Sequence, residues 1–198
     1  MAVEIECKIY IAELEPLRIR LNETQATLIK PRVFEKNYRY ENPAKTLSPN
    51  GIVLRLRQDQ DIRITYKARL DSDTEGIVKR LELETSVGDF DTMDAILNYL
   101  GFSVYMIYEK YRTTYHFADI PNAEIVVDEM PYGHFIEVEG DPAAIERVID
   151  RLGLGGEKRI VESYTDLFDR IRDDNELSFA NLTFENFTNI VIDSAIFK

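Results

Sequence analysis

Acidic and basic side chains stand at alternating positions in this sequence, grouped by sign, and that grouping points to one kind of chemistry. The acidic pairs are Glu4 with Glu6 and Glu137 with Glu139; the basic pairs are Arg55 with Arg57, Arg63 with Lys67, and Lys110 with Arg112. Clustered carboxylates suit hard divalent cations, which take oxygen ligands. Clustered guanidinium and ammonium groups suit phosphate, and arginine can grip it through two parallel hydrogen bonds. A metal–polyphosphate is the ligand such a set would take.

The skipped positions are mostly apolar or aromatic. Val3, Ile5, Cys7 and Ile9 alternate with Glu4, Glu6 and Lys8; Leu81 and Leu83 separate Arg80, Glu82 and Glu84. Asp128 follows Val127, and Ile136 and Val138 flank Glu137. Side chains in a strand point to opposite faces with a period of two, so each segment has one apolar and one ionised face. A solvated polar face would explain one or two such strands. Repetition of the pattern, with like charges paired, favours a barrel whose ionised faces turn inward, where a ligand keeps the charges apart.

The elements that must carry these faces follow from local signals. Strands are predicted at 3–11, 34–41, 52–58, 62–68, 77–87, 104–117, 124–129 and 134–139, with Asn37, Arg39 and Glu41 on one face of the second. Pro16 suits the first turn of a helix carrying Leu17, Leu21 and Leu28 inward. Asp89 or Asp91 can cap a helix bearing Met93, Ile96, Leu97 and Leu100, ended by Gly101. Asp141-Pro142 opens a helix with Ile145, Val148, Ile149 and Leu152, and Ser163 caps the last, with Tyr164, Leu167, Phe168 and Ile171 on one side. Turns are expected at 42–51 and 59–61, and an acidic loop at 70–76. About eight strands with helices inserted between them predict an α+β fold: a closed eight-stranded antiparallel β-barrel, or tunnel, with helices packed outside.

With 198 residues the chain is expected to form one domain with a real core. Its net charge of −12 argues against a general nucleic-acid binder but not against a site for one small polyanion. A single cysteine excludes an internal disulfide and fits a reducing compartment; Cys7 reads as a small core residue. Neither a signal peptide nor a membrane span is visible, so a soluble, cytoplasmic protein is expected. His116 falls on the charged face of its strand and His134 beside a turn, each read as structural. The tunnel domain is assigned to residues 1–175, followed by an apolar tail, 176–198. In that tail Leu177, Leu182, Phe187, Ile192 and Phe197 recur every five residues. That period resembles a pentapeptide-repeat coil; the favoured reading is a tail that packs on the barrel or across an oligomer interface, leaving a homodimer open.

Glu4-Ile5-Glu6-Cys7-Lys8 has the ExExK form that opens the CYTH domain, the triphosphate tunnel metalloenzyme superfamily. The series continues in order with Leu54-Arg55-Leu56-Arg57, Thr65-Tyr66-Lys67, Arg80-Leu81-Glu82-Leu83-Glu84, Glu109-Lys110-Tyr111-Arg112, Val127-Asp128-Glu129, Phe135-Ile136-Glu137-Val138-Glu139 and Ser163-Tyr164. The similarity covers residues 3–172. It implies a tunnel holding a triphosphate with Mg²⁺ or Mn²⁺. Carried over by position, Glu4, Glu6, Glu137 and Glu139 would bind metal, with Asp128 as an additional ligand. Lys8, Arg55, Arg57, Lys67, Lys110 and Arg112 would hold the phosphates, Lys8 and Lys67 as the catalytic pair. Arg39, Arg80, Glu82 and Glu84 would contact substrate or brace those groups.

Relatives of this kind hydrolyse inorganic triphosphate or nucleotides, hydrolyse thiamine triphosphate, or cyclise ATP. The chain lacks the tryptophan that vertebrate thiamine triphosphatases set against the thiamine rings. Lys67 is followed by Ala68-Arg69 where many relatives have Gly-Pro, and Asn37-Tyr38-Arg39-Tyr40-Glu41 resembles a cyclase-like variant. Phosphate-facing positions are assignable throughout, but none is committed to a base. The expectation is therefore a metal-dependent triphosphate hydrolase, with a class IV-type adenylyl cyclase as the alternative and a non-catalytic polyphosphate sensor behind both.

Overall fold

The computed structural model describes residues 2–70 and 76–197, so the predicted acidic loop falls largely outside it. The strands are β1 (Ala2–Ile11), β2 (Thr27–Glu41), β3 (Ile52–Gln58), β4 (Ile62–Arg69), β5 (Val78–Ser86), β6 (Ser103–His116), β7 (Ala123–Met130) and β8 (Gly133–Gly140). They pair antiparallel in the order β5-β4-β3-β2-β6-β7-β8-β1, and β1 returns to β5 to close a ring of eight. The closing register sets Glu4 opposite Arg80, and on its other side β1 sets Glu6 opposite Glu139. A two-residue strand, β9 (Arg159–Ile160), adds to β1 at Lys8 and Ile9; it is too short for alternation to reveal.

Four helices cover the ring from outside: α1 (Leu14–Glu23), α2 (Phe90–Tyr99), α3 (Pro142–Arg151) and α4 (Tyr164–Asp174). Asp141 caps α3 by accepting from the Ala144 amide, and Pro142 supplies a ready-made first-turn φ. Ile145, Val148 and Ile149 then pack with Leu17 and Leu21 of α1 on the outward residues Ile125, Val127, Ile136 and Val138. Each such fully buried side chain stabilises the fold by roughly 1.5–3 kcal/mol. On the opposite flank Phe90 and Leu97 of α2 cover Tyr40 and Leu56. Ile96 and Leu100, expected to face inward, are exposed. The inward stripe of this short helix runs through Phe90, Met93 and Leu97, and its other flank has no partner.

The helix ends share one device. After α1, α2, α3 and α4 the chain closes with paired backbone bonds, such as Gly101 N–H to Asn98 O and Phe102 N–H to Leu97 O. Gly101 and Gly153 sit there at φ +92 and +62, as glycine signals predict. Gln25 and Glu176 do the same work at φ 62 and 53 without being glycine. The reversal at Gln25 ends α1 before Leu28, which lies instead on β2 and is half-exposed. β2 itself starts at Thr27, well before the predicted residue 34. Two register shifts between Leu28 and Val33, around Pro31, erase the alternation that would have marked it.

α4 and the tail close one end of the ring. Tyr164, Leu167, Phe168 and Ile171 pack with Tyr108 and Phe135, and with Leu182, Phe187 and Phe197 from the tail. β7 pairs only with the Tyr111–Tyr115 part of β6, which leaves the preceding edge open. Leu182 fills it: its N–H donates to the Ile107 carbonyl and its carbonyl accepts from the Glu109 N–H, both at 2.9 Å. The five-residue series thus points inward, with Leu182, Phe187 and Phe197 buried and Leu177 and Ile192 partly buried. Around them the segment forms turns, an isolated bridge at Leu182 and a short 3₁₀ helix at Ser194–Phe197, not a coil of strands. No helix of the described residues is long and apolar enough to cross a membrane.

Candidate active site

A cavity of about 1020 Å³ runs through the ring. Alternation turns the ionised faces toward it, so Glu4, Glu6, Lys8, Arg39, Arg55, Arg57, Lys67, Arg80, Glu82, Glu84, Lys110, Arg112, Glu137 and Glu139 all line it. Asp128 does not. β3 stands four places round the ring from β8, and β2 four places from β1. The acidic wall of β1 and β8 therefore faces the arginine-bearing wall of β2 and β3.

On the acidic wall Glu4, Glu6 and Glu139 each offer a carboxylate oxygen, all within 4.8 Å of one another. Burial pushes the Glu139 carboxyl up to about 8, against the pull of Arg112 and with the repulsion of Glu4 and Glu137 added. Glu139 has no ion-pair partner among the described residues. A buried carboxylate with no cation, beside two others, fits a hard divalent ion. Glu137 stands next to this trio but outside it: it accepts from Arg112 at 2.8 Å and lies 3.4 Å from Lys8. Burial would raise Glu4, but Lys67 outweighs it and holds that carboxyl below its ordinary value.

On the facing wall Arg55 donates to the Tyr108 hydroxyl and to Thr65 Oγ1, each at 3.2 Å. Arg57 lies 3.5 Å from both Asp59 and Glu84, and Arg63 donates to Glu84 at 2.9 Å. Burial opposes ionisation of Glu84, but Arg57, Arg63 and Thr65 bring its pKa down to about 2. Among the described residues the buried Nε atoms of Arg39, Arg55 and Arg63 have no hydrogen-bond partner, nor has the side-chain amide of Asn37 between Arg39 and Glu35. Orphaned buried donors are costly unless a ligand or water satisfies them, and an anion in the cavity would do so.

Between the walls lies a bracing network. Asp128 accepts from Lys110 at 3.0 Å, from Arg112 at 2.8 and 2.6 Å, and from the Tyr164 hydroxyl at 3.0 Å. Burial acts against its ionisation, and the Arg112 and Lys110 charges overcome it, holding the carboxyl well below the usual range. Its oxygens are committed to protein donors, and it lies outside the acidic trio. Lys8 is anchored by the Glu162 carbonyl at 2.9 Å, with its ammonium 4.2 Å from the centre of the Tyr164 ring. Glu35, Tyr108 and Tyr164 complete this network: Glu35 lies 3.5 Å from Lys110 and 4.0 Å from Arg57. Glu35 and Tyr108 were legible as alternation extended one step beyond Asn37 and Lys110. Tyr164 is presented by the capped start of α4, which has no such signal. His116 lines the mouth of the tunnel, His134 does not, and burial pushes the Cys7 thiol up to about 11, which makes it an inert core group.

A family model for the CYTH domain matches residues 2–154, ending before α4 and short of the residue-172 limit inferred from motifs. Among solved structures, a protein from Pyrococcus horikoshii shares 26% identity over 84% of this chain and 98% of its own, with a TM-score of 0.71. A proposed adenylate cyclase from Vibrio parahaemolyticus aligns at 19% identity over 84% and 97%, TM-score 0.68. A proposed adenylyl cyclase from Hippeastrum with a dominant triphosphatase activity aligns at 16% over 84% and 95%, TM-score 0.66. None of the curated proteins matches the sequence.

Proposed function

The chain belongs to the CYTH domain family, and from that premise we propose that it is a metal-dependent hydrolase of triphosphate substrates, either inorganic tripolyphosphate or a nucleoside triphosphate. The observation that carries this reading is the opposition of two walls. Three mutually close carboxylates stand across the cavity from arginines whose buried Nε donors have no partner among the described residues.

Phosphoryl transfer asks little covalent chemistry of a protein; it asks for in-line positioning and neutralisation of charge on the phosphoryl oxygens. Arg55, Arg57 and Arg39 grip the phosphate chain from the β2–β3 wall, and Tyr108 fixes the Arg55 guanidinium in that direction. Lys110 and Arg112 add positive potential from within their brace. Glu4, Glu6 and Glu139 would hold Mg²⁺ or Mn²⁺, and Glu137 is the fourth carboxylate of that wall. When bound, that ion neutralises phosphate charge and lowers the pKa of a water. Lys8, held by Glu162 and Glu137, and Lys67, beside Glu4, flank the reacting phosphate as the catalytic cations.

Hydrolysis needs only a water near the bound ion, whereas cyclisation also requires the ribose and base to be aimed. A panel of tripolyphosphate, ATP, GTP and thiamine triphosphate with Mg²⁺ or Mn²⁺, scored for phosphate and for cyclic nucleotide, tests the reading. Phosphate release is expected. Cyclic AMP as the main product, with tripolyphosphate left intact, would replace hydrolysis by the cyclase reading.

A further inference from the structure

Two of the three carboxylates directed at a cation are already engaged by cations of the protein itself. Lys67 Nζ sits 2.8 and 2.7 Å from the two oxygens of Glu4, and Arg80 donates to Glu6 at 2.7 Å. Both of Glu4's oxygens are therefore used by one ammonium. A divalent ion on these carboxylates would approach them at about 2.0–2.6 Å, and like charges at such range repel strongly. A metal ion on Glu4 would therefore compete with Lys67 for the charge of the same carboxylate.

We propose that Lys67 and Arg80 are exchangeable counter-ions: they neutralise Glu4 and Glu6 until a divalent cation takes those carboxylates, and are thereby released to the triphosphate. The proposal rests on the triphosphate reading above and adds to it a coupling route built from the protein's own side chains. Geometry favours release over permanent bracing. Lys67 faces the cavity from β4 two residues after Thr65, which already contacts Arg55 at 3.2 Å, so the freed ammonium stands at the edge of the arginine wall. Glu82, 3.3 Å from Lys67, offers it a second partner along the way. Arg80 reaches Glu6 from the neighbouring strand on a long, unbranched side chain. Metal and anion then help each other bind beyond their direct attraction, because each removes the other's internal competitor.

The test separates exchange from a general charge effect. In metal-free buffer, tripolyphosphate binding is measured by calorimetry for the wild type, Glu4→Gln, Lys67→Met and the double variant. Exchange predicts that Glu4→Gln tightens binding about fivefold or more, and that the gain shrinks to under about twofold once Lys67 is gone, as coupling between contacting groups requires. Equal gains in both backgrounds, or none in either, overturn the proposal. Glu6→Gln with Arg80→Met forms an independent cycle should one of the first set fail to fold. A second arm titrates Mn²⁺ alone, followed by electron paramagnetic resonance. Lys67→Met should bind Mn²⁺ more tightly than wild type, and more tightly than Arg63→Met, which removes a tunnel charge paired with Glu84 and Asp61. Equal or weaker binding by Lys67→Met contradicts exchange. If tripolyphosphate binds none of the proteins even after Mg²⁺ is added, the triphosphate reading itself fails, a result distinct from binding without coupling.

Discussion

Arg112 meets Asp128 through two hydrogen bonds, 2.8 and 2.6 Å long, at a point in the barrel where Asp128 has no solvent exposure. The same guanidinium reaches Glu137 at 2.8 Å, so one arginine links the internal brace to the acidic wall. Alternation correctly turns Asp128 away from the apolar outer face, yet it gives a carboxylate no partner. The partners decide its role. Surrounded by Lys110, Arg112 and Tyr164, Asp128 braces those groups and lies outside the trio of close carboxylates.

Asp128→Asn should accordingly cost stability, about 3–5 kcal/mol, because removing one member of a buried ion network leaves the others uncompensated. Urea unfolding measures the loss. Mn²⁺ affinity of the folded variant should fall far less than in Glu6→Gln, and an equal fall would return Asp128 to the metal ligands.

Arg55 is aimed by Tyr108 and Thr65 and keeps a buried Nε without a protein partner. Arg55→Met should weaken tripolyphosphate binding about tenfold or more, in line with the worth of a charge-assisted hydrogen bond. Tyr108→Phe should show a smaller loss of the same sign. Calorimetry reads both, and unchanged affinity in Arg55→Met would remove the arginine wall from the site.

The tail is expected to act as part of the tunnel's floor. Leu182 occupies the edge of β6 next to Tyr108 and is fully buried. Leu182→Ala should lower stability by about 2–5 kcal/mol, as for other buried leucines. Thermal and urea unfolding check it; a variant as stable as wild type would mean that the segment does not hold the fold.

Stability should also fall in acid. The Glu84 carboxyl is held at about 2 against an ordinary 4.5, so its ionised form favours the folded state. Because the folded value lies below the unfolded one, the contribution is complete above about pH 4.5 and is lost as pH falls toward 2. Glu84 and its partner Arg63 are partly exposed, which makes the effect modest. Urea unfolding across that range should show a shallower decline in Glu84→Gln than in wild type. Parallel curves would contradict the assignment.

Much of this arrangement is legible in the sequence because a strand's period of two survives wherever the ladder is regular. Glu4, Glu6 and Lys8 on β1, or Arg55 and Arg57 on β3, need only that rule to face the cavity. It fails where the ladder is irregular, as between Leu28 and Val33, where bulges shift the register. Helix ends were readable at Gly101 and Gly153, whose left-handed backbone favours glycine, and hidden at Gln25, which adopts the same conformation. Partner choice was hidden throughout. That Glu139 joins Glu4 and Glu6 while Glu137 turns to Arg112 depends on cross-strand register, which no single segment contains.

The most direct test of the account is phosphate release from tripolyphosphate in the presence of Mg²⁺ or Mn²⁺, by the wild type and by Glu6→Gln. Glu6 lies in the trio of close carboxylates and should be indispensable, while its replacement by the isosteric amide leaves the outer core untouched. The account predicts metal-dependent release by the wild type, abolished by excess chelator, and a loss of about a hundredfold or more in a folded Glu6→Gln, as expected for removal of an electrostatic group acting on the transition state. Full activity of Glu6→Gln, or of the wild type in excess chelator, would contradict it.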